Sequence, residues 1–190
     1  MKFFSVSGAT VATFNLDYDE ALITNAIKNW KPVPDEELTY PTTLPNFNPF
    51  KRAFFGYKHN FDFLGEAKLT KLKKNFQECC DLYTEKVNLD KIVITNSWFG
   101  ILNKGSEVEF HEHLLDSPVL LGVYYFKIGK GSSPLVLQNK ESNLKLHPYN
   151  GRFILFPGWM KHGVEVNKSL ERGCIGFNTK SILAIKRDTK

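Results

Sequence analysis

Residues 119–158, VLLGVYYFKIGKGSSPLVLQNKESNLKLHPYNGRFILFPG, alternate short apolar runs with short polar turns. The apolar runs are rich in valine, leucine, isoleucine and aromatic residues, which favour β-strands. Glycine, serine, asparagine and proline cluster between the runs and indicate turns, at GKGSS (129–133), NKES (139–142) and HPYNG (147–151). The same alternation extends outward to three further strand-like runs: KIVITNSWFGIL (91–102), VEFHEH (108–113) and ERGCIGFNT (171–179).

Seven short strands at this spacing predict a double-stranded β-helix (jelly roll) or a related barrel. A chain of 190 residues is long enough for one good core and short for two. We therefore predict a single domain over residues 1–190. It is expected to be mainly β with flanking helices, with its helical support at about 17–86 and its β core at about 91–185.

The N-terminal half predicts two helices that pack on the outside of one sheet. Asp17 or Asp19 can cap a helix that runs to about Trp30, in which apolar residues repeat at helical spacing. A second helix is predicted from Glu66 to about Lys86. It carries an apolar stripe in which the cysteines are expected to be core residues rather than reactive ones: Leu69, Leu72, Phe76, Cys79, Cys80 and Tyr83.

Two other segments of this half carry no helical pattern. Residues 1–14 are interrupted by serine, threonine and glycine, so they predict a first strand rather than a signal peptide. Residues 31–50 contain five prolines and predict an irregular surface loop or a lid that faces the substrate.

The composition excludes several classes of function. The net charge is +5, but the basic clusters at 68–74 and 186–190 have no interleaved aromatic residues, so we expect no nucleic-acid partner. Three cysteines, two of them adjacent, make neither a disulfide framework nor a C-x-x-C zinc site, which favours a reducing, cytoplasmic location. No run approaches the roughly 18 apolar residues that would cross a bilayer, so we expect no membrane partner.

Three of the five histidines lie at suggestive positions in the β-rich part of the chain. His111 and His113 are separated by one residue on a predicted strand, so both imidazoles project from the same face. His162 follows the apolar strand at 152–156 and the turn Pro157–Gly158. Two ligands from one strand and one from a distant strand can share one face of an octahedral metal and leave positions open for a co-substrate and dioxygen. Imidazole also suits zinc, copper and nickel, so the ligands alone do not identify the metal.

The segments that follow the histidine pair support its interpretation as part of a metal site. GVYY (122–125) comes first, GRFILFPGWMKH (151–162) follows, and RGCIGFN (172–178) comes last. The linked set H-x-H, G-V-Y-Y, F-P-x-W-x-x-H and R-x-x-x-x-F-N resembles the 2-oxoglutarate/Fe(II)-dependent dioxygenase superfamily, and in particular one small branch of it. The resemblance covers about residues 94–180, roughly half of the chain.

This resemblance implies a catalytic metal centre that holds Fe(II). His111 matches the first metal ligand of the superfamily and His162 the distal one. His113 stands where the superfamily has an aspartate or a glutamate. Asp116 could supply the carboxylate instead, so the middle ligand is either His113 or Asp116. We favour His113, because strand alternation places it beside His111.

The resemblance also implies a site for 2-oxoglutarate as co-substrate. Arg172 matches the basic residue that binds its distal carboxylate, to which a planar guanidinium offers two parallel hydrogen bonds. Tyr125 matches a tyrosine whose hydroxyl binds the same carboxylate, and Asn178 shares the strand face of Arg172 and completes the expected set. Four further residues are expected to line the pocket or to leave room for a ligand in it: Trp98, Asn103, Gly122 and Gly176.

The implied reaction couples decarboxylation of 2-oxoglutarate, to succinate and CO2, to hydroxylation of a small-molecule or side-chain substrate, with ascorbate as reductant. Two other interpretations stay open. A cupin-like three-histidine dioxygenase would need no 2-oxoglutarate, and a non-catalytic jelly-roll module would bind a ligand or partner without turnover. A homodimer is compatible with all three, and analogy at the level of the fold does not choose the substrate.

Overall fold

The computed structural model describes residues 1–29, 53–55, 62–113, 118–140 and 142–188. Its helices are α1 (Glu20–Lys28), α2 (Phe63–Glu66), α3 (Thr70–Val87) and α4 (Ile182–Asp188). Its strands are β1 (Lys2–Val6), β2 (Ala9–Asn15), β3 (Ala53–Phe55), β4 (Ile92–Asn103), β5 (Val108–His111), β6 (Leu120–Ile128), β7 (Leu135–Asn139), β8 (Ser142–Leu146), β9 (Arg152–Pro157), β10 (Lys161–Val164) and β11 (Glu171–Ser181). The proline-rich segment 31–50, Trp30 and Asp116 lie outside the described residues.

The strands form two sheets in which neighbouring strands are antiparallel. The larger sheet has the order β1-β2-β9-β6-β11-β4-β3 and the smaller one the order β5-β10-β7-β8. From β4 onward the chain passes back and forth between them, because β4, β6, β9 and β11 lie in the larger sheet and β5, β7, β8 and β10 in the smaller one. Eight strands divided in this way between two sheets form a jelly roll. The predicted fold class, mainly β with flanking helices, is confirmed.

Each central strand of the larger sheet faces the helices on one side and the smaller sheet on the other. On β6, Tyr124 and Phe126 belong to the core under the helices, whereas Leu121 and Tyr125 belong to the core between the sheets. Successive side chains on a strand alternate between faces, so a single apolar strand serves both cores.

Helix α3 covers the outer face of the larger sheet through the apolar stripe predicted for it. Phe76 is fully buried and stacks on Phe153 and Phe177 at ring-centroid distances of 4.7 and 5.4 Å. Burial raises the pKa of the Cys79 thiol to about 12 and also raises that of Cys80. Both cysteines are therefore protonated core residues, as expected from the sequence.

The helix boundaries differ from the prediction in one place. Asp19, the second of the two candidate caps, accepts a hydrogen bond from the backbone N–H of Leu22 at 2.8 Å and begins α1. The second helix does not start at Glu66, because Lys68 adopts a left-handed φ of 56° that separates α2 from α3, and α3 starts at Thr70. Among the described helices, none is both long and apolar enough to cross a membrane.

Several strands also differ from the prediction, among them β3, which was not predicted. Residues 1–14 form not one strand but the hairpin of β1 and β2, which turns at Ser7 and Gly8, both at positive φ. Strand β5 ends at His111, so His113 lies two residues beyond it. The short strand β10 was not predicted; it pairs with β5 and β7 and carries His162.

Candidate metal centre

His111 and His162 face each other across two neighbouring strands of the smaller sheet. They are direct partners in the antiparallel register of β5 and β10, and their ring centroids lie 4.4 Å apart. Directly opposed residues on neighbouring strands project from the same face. The register therefore brings both imidazoles to the same cavity between the two sheets.

His113 completes the cluster from the segment that follows β5. Its ring centroid lies 5.3 Å from that of His111 and 5.2 Å from that of His162. The candidate ligand nitrogens of the three rings all lie within 4.8 Å of one another. The structure thus brings the three predicted ligands together, although only two of them lie on strands. Asp116, the alternative middle ligand, is outside the described residues.

Hydrogen bonds to the backbone set the tautomer of two of the rings. Nδ1 of His111 lies 2.7 Å from the carbonyl oxygen of Glu109, and Nδ1 of His162 lies 3.0 Å from that of Met160. A carbonyl oxygen can only accept, so each Nδ1 carries the proton and donates it. In this tautomer Nε2 of each ring carries a lone pair in place of a proton, which is the form of imidazole that binds a metal.

The surroundings keep the three imidazoles neutral. Burial lowers the pKa of His162 well below its ordinary value, and the neighbouring His111 and His113 lower it further. Burial is also the main cause that lowers the pKa of His113 to about 3, with a further lowering by His111 and an opposing contribution from Asn178. Burial lowers the pKa of His111 as well. Three neutral imidazoles held close together are a donor set for a divalent transition metal.

Arg172 lines the same cavity as the histidines, and its side chain is almost fully buried, at 2% exposure. Its Nε donates a hydrogen bond to the carbonyl oxygen of Ser133 at 3.1 Å, and its Nη2 donates to the hydroxyl oxygen of Tyr125 at 3.0 Å. Within the described part of the chain, no acidic side chain forms an ion pair with it. Burying a positive charge without a negative partner is costly, so this site favours an anionic ligand.

The Tyr125 hydroxyl supports Arg172 from the neighbouring strand β6. Burial raises the pKa of Tyr125 to about 12, with Arg172 opposing the rise, so the hydroxyl is protonated at neutral pH. Because it accepts a hydrogen bond from Arg172, its own hydrogen remains available for a second acceptor. Arg172 and Tyr125 can therefore offer N–H and O–H donors to one carboxylate.

The histidines and Arg172 share a small cavity of about 70 Å³ between the sheets. Most of the other described residues in its wall are apolar, and Trp98 is one of them, as predicted. Asn103, also predicted to line the pocket, is exposed and lies outside this wall. An apolar wall limits water, and electrostatic interactions are stronger in such surroundings.

Two glycines were expected to leave room for a ligand. A Cβ atom at Gly122 would lie 2.1 Å from the ring of Phe177, and one at Gly176 would lie 2.7 Å from the ring of Trp98. Gly122 does not line the cavity, so the expectation is wrong for this residue. Gly176 lies in the wall of the cavity beside Trp98, and a role for it in leaving ligand space stays a prediction.

Asn178 lies beside His113 rather than in the wall of the cavity. Its side chain is 3% exposed, and it interacts with the His113 imidazole closely enough to raise the pKa of that ring. Its Oδ1 atom is buried and has no hydrogen-bond partner within the part of the chain that the structure describes. A role for Asn178 in binding the co-substrate stays a prediction.

Comparison with known proteins finds matches among solved structures only: no family model matches the chain, and no curated protein does. A prolyl hydroxylase from Trichoplax adhaerens, in complex with a peptide of the hypoxia inducible factor oxygen degradation domain, matches with a TM-score of 0.55 at 13% identity, over 88% of this chain and 82% of that one. The viral collagen prolyl hydroxylase from Paramecium Bursaria Chlorella virus-1, in its 2-oxoglutarate complex, matches with a TM-score of 0.55 at 14% identity, over 90% of this chain and 96% of that one.

These similarities extend over nearly the whole chain, including the N-terminal half in which the sequence carries no motif of the superfamily. They agree with the division of the strands between two sheets. At this level of identity a structural likeness establishes the fold. The chain has the fold of the 2-oxoglutarate/Fe(II) oxygenases.

Proposed function

We propose that the protein is a 2-oxoglutarate-dependent Fe(II) dioxygenase that hydroxylates a small molecule or a side chain. The observation that carries this proposal is one cavity with three neutral imidazoles and a buried guanidinium that has no acidic partner among the described residues. Nitrogen ligands suit Fe(II), and an unpaired buried cation suits the dianion 2-oxoglutarate. The residues present therefore fit both groups.

In this proposal each residue has a separate task. His111, His113 and His162 hold the iron, and Arg172 and Tyr125 hold the distal carboxylate of the co-substrate. The apolar wall keeps bulk water away from these charged groups. Bound Fe(II) and 2-oxoglutarate supply the oxidising chemistry, in which O2 is consumed and succinate and CO2 are released with the hydroxylated product.

The direct test is turnover of 2-oxoglutarate by the purified protein. With Fe(II), ascorbate and air, we expect succinate to form even without a substrate, because these reactions proceed slowly when uncoupled. We also expect a charge-transfer absorption band when 2-oxoglutarate is added to the Fe(II) protein without oxygen. Absence of both signals would refute the proposal, and absence of any bound transition metal would favour the non-catalytic module instead.

A second candidate is a three-histidine dioxygenase that uses no 2-oxoglutarate. It is favoured by one specific observation, the presence of His113 in the cluster where the superfamily has a carboxylate. In that case Arg172 would contact the substrate directly. The metal centre would be the same, so metal binding does not separate the two candidates.

Replacing Arg172 with leucine separates them. Losing a buried charged partner costs about 2–5 kcal/mol, so the first candidate predicts at least a roughly 30-fold rise in the 2-oxoglutarate concentration needed for half-maximal succinate formation. Arg187→Leu is the matched control, because Arg187 is an exposed arginine in the last turn of α4 and does not line the cavity. An activity that is independent of 2-oxoglutarate in the unmodified protein supports the second candidate.

A further inference from the structure

The three histidines differ in how the protein holds them. His111 and His162 lie on paired strands, and each donates its Nδ1 proton to a backbone carbonyl oxygen. His113 has neither support within the described residues: β5 has ended, and none of its described contacts is a backbone hydrogen bond. Metal-binding histidines usually donate their other ring N–H to an oxygen that fixes the ring, so His113 needs such an oxygen from elsewhere.

Asn178 belongs to strand β11, which is paired on both sides, and it lies close enough to His113 to raise the pKa of that imidazole. Strand β11 lies between β4 and β6, where Asn178 pairs with Asn96 on one side and Leu121 on the other. The Asn178 side chain is 3% exposed, so its position is set by the sheet and not by solvent. The sheet therefore holds Asn178 in place, whereas the neighbouring His113 lies beyond the end of β5.

The Oδ1 atom of Asn178 is buried and has no hydrogen-bond partner among the described residues. Leaving a buried carbonyl oxygen without a hydrogen bond costs about 1–3 kcal/mol, so such an atom in a folded protein calls for a cause. The neighbouring His113 ring carries an N–H in its neutral form and can supply the missing donor. The ring of Trp98 also stacks on that of His113, with the centroids 6.1 Å apart.

We propose that Asn178 is the positioning residue for His113. Its side-chain oxygen accepts the ring N–H of His113 and so directs the other ring nitrogen toward the metal. For His111 and His162 the backbone carbonyl oxygens of Glu109 and Met160 perform this task. The inference rests on the metal centre proposed above and assigns Asn178 a part in it rather than in binding 2-oxoglutarate.

One consequence concerns strand β11 as a whole. Arg172 and Asn178 lie on the same face of this strand, so one strand of the larger sheet would hold both the anion-binding group and the support of the third ligand. The other two ligands belong to the smaller sheet. The metal centre would thus be assembled from both sheets, and its geometry would depend on how they pack.

The test uses Co(II) as a spectroscopic probe, titrated into metal-free full-length protein. Asn178→Leu removes the oxygen at nearly constant size, and we expect Co(II) to bind about 10–100-fold more weakly, with an altered visible d–d spectrum, as losses of such supporting groups generally do. Asn178→Asp keeps an acceptor and should bind Co(II) within a few-fold of the unmodified protein. Asn178→Ser, which places its oxygen out of reach of the ring, should weaken binding as Asn178→Leu does and gives a second test should the leucine variant not fold.

Two controls separate positioning from a general effect on the fold. Asn139→Leu changes another buried asparagine, one that donates to the carbonyl oxygens of Val6 and Ser7, and it should lower stability without changing Co(II) affinity. In a His113→Ala background, Asn178→Leu should have no further effect on Co(II) affinity, because the residue through which Asn178 acts is gone.

Three outcomes would overturn the inference. Unchanged Co(II) affinity and spectrum in Asn178→Leu would show that the asparagine does not position the ligand. A loss of equal size in the His113→Ala background would show that it acts on the fold and not on His113. If the unmodified protein takes up no Co(II), the metal centre itself is refuted, a result distinct from the other two because it appears before any substitution is made.

Discussion

At the scale of single residues, His111 and His162 are the best supported ligands of the candidate centre. Each is held by a strand register and by a backbone carbonyl oxygen at Nδ1. We expect His111→Ala and His162→Ala each to weaken binding of Co(II) or Fe(II) by about 3 kcal/mol, roughly 100-fold, as the loss of one ligand of several should. Calorimetric titration measures this directly.

His147→Ala is the control for the histidine variants. His147 is exposed and outside the cluster, so its removal should leave metal affinity unchanged. Equal losses of metal affinity in His111→Ala, His162→Ala and His147→Ala would mean that the metal binds histidines on the surface rather than those in the cavity.

Tyr125 provides a second test at this scale, directed at the co-substrate and not at the metal. Tyr125→Phe removes a hydroxyl that contacts Arg172 and keeps the buried ring. A hydrogen bond to a charged group contributes about 1.5–3 kcal/mol, so the apparent affinity for 2-oxoglutarate should fall roughly tenfold or more. The hydroxyl of the neighbouring Tyr124 donates to the carbonyl oxygen of Asp17 instead. Tyr124→Phe should therefore leave the apparent affinity for 2-oxoglutarate unchanged.

Several residues of the site could be predicted from the sequence, because their spacing indicates which side chains lie together. Strand alternation placed His111 beside His113, and the linked segments pointed to Arg172 and Tyr125, which the structure joins by a hydrogen bond. The position of Asn178 beside His113 could not be predicted in the same way. Alternation indicates the face on which a side chain lies, but whether it reaches the cavity or a neighbouring histidine depends on packing.

At the scale of helices and strands, the contact between α3 and the larger sheet should carry much of the stability. Phe76 has no exposed surface and stacks on two rings of the sheet. We expect Phe76→Ala to lower the free energy of unfolding by about 3–5 kcal/mol, as large-to-small changes in well-packed cores do. Urea unfolding followed by circular dichroism measures it.

Leu82→Ala on the same helix is the matched control for Phe76→Ala. Leu82 is 46% exposed, and its truncation should change the free energy of unfolding by no more than about 0.5 kcal/mol. Similar effects of the two substitutions would contradict the packing described for α3.

The elements found from the sequence are those whose pattern is local. The stripe from Leu69 to Tyr83 has helical spacing, and it forms α3. Strand β10 was missed because it has four residues, one of them Gly163, and it is stabilised by pairing with β5 and β7 from distant parts of the chain. Gly122 was misjudged for a related reason, since a sequence shows that a side chain is missing but not that the ring of Phe177 fills the space.

At the scale of the whole molecule, the two sheets contribute different parts of the site. The smaller sheet presents His111 and His162, and the larger one presents Arg172 and its partner Tyr125. The jelly-roll class followed from the number and spacing of strands, but the order of strands in each sheet depends on long-range pairing that no local pattern records. That order is what brings residues 111 and 162 into register.

A site built from both sheets should couple ligand binding to the stability of the whole fold. Any ligand that binds only the folded state stabilises it, by about 2.7 kcal/mol at a concentration 100 times its Kd. For a domain of this size that corresponds to a rise in Tm of roughly 5–10 °C. We expect Fe(II) together with 2-oxoglutarate, without oxygen, to raise the Tm by this amount in scanning calorimetry. The His162→Ala variant should show almost no rise in Tm with the same ligands. In this variant the metal centre lacks one of the two histidines that β5 and β10 bring together. A rise of equal size in both proteins would place the stabilising ligands outside the cavity.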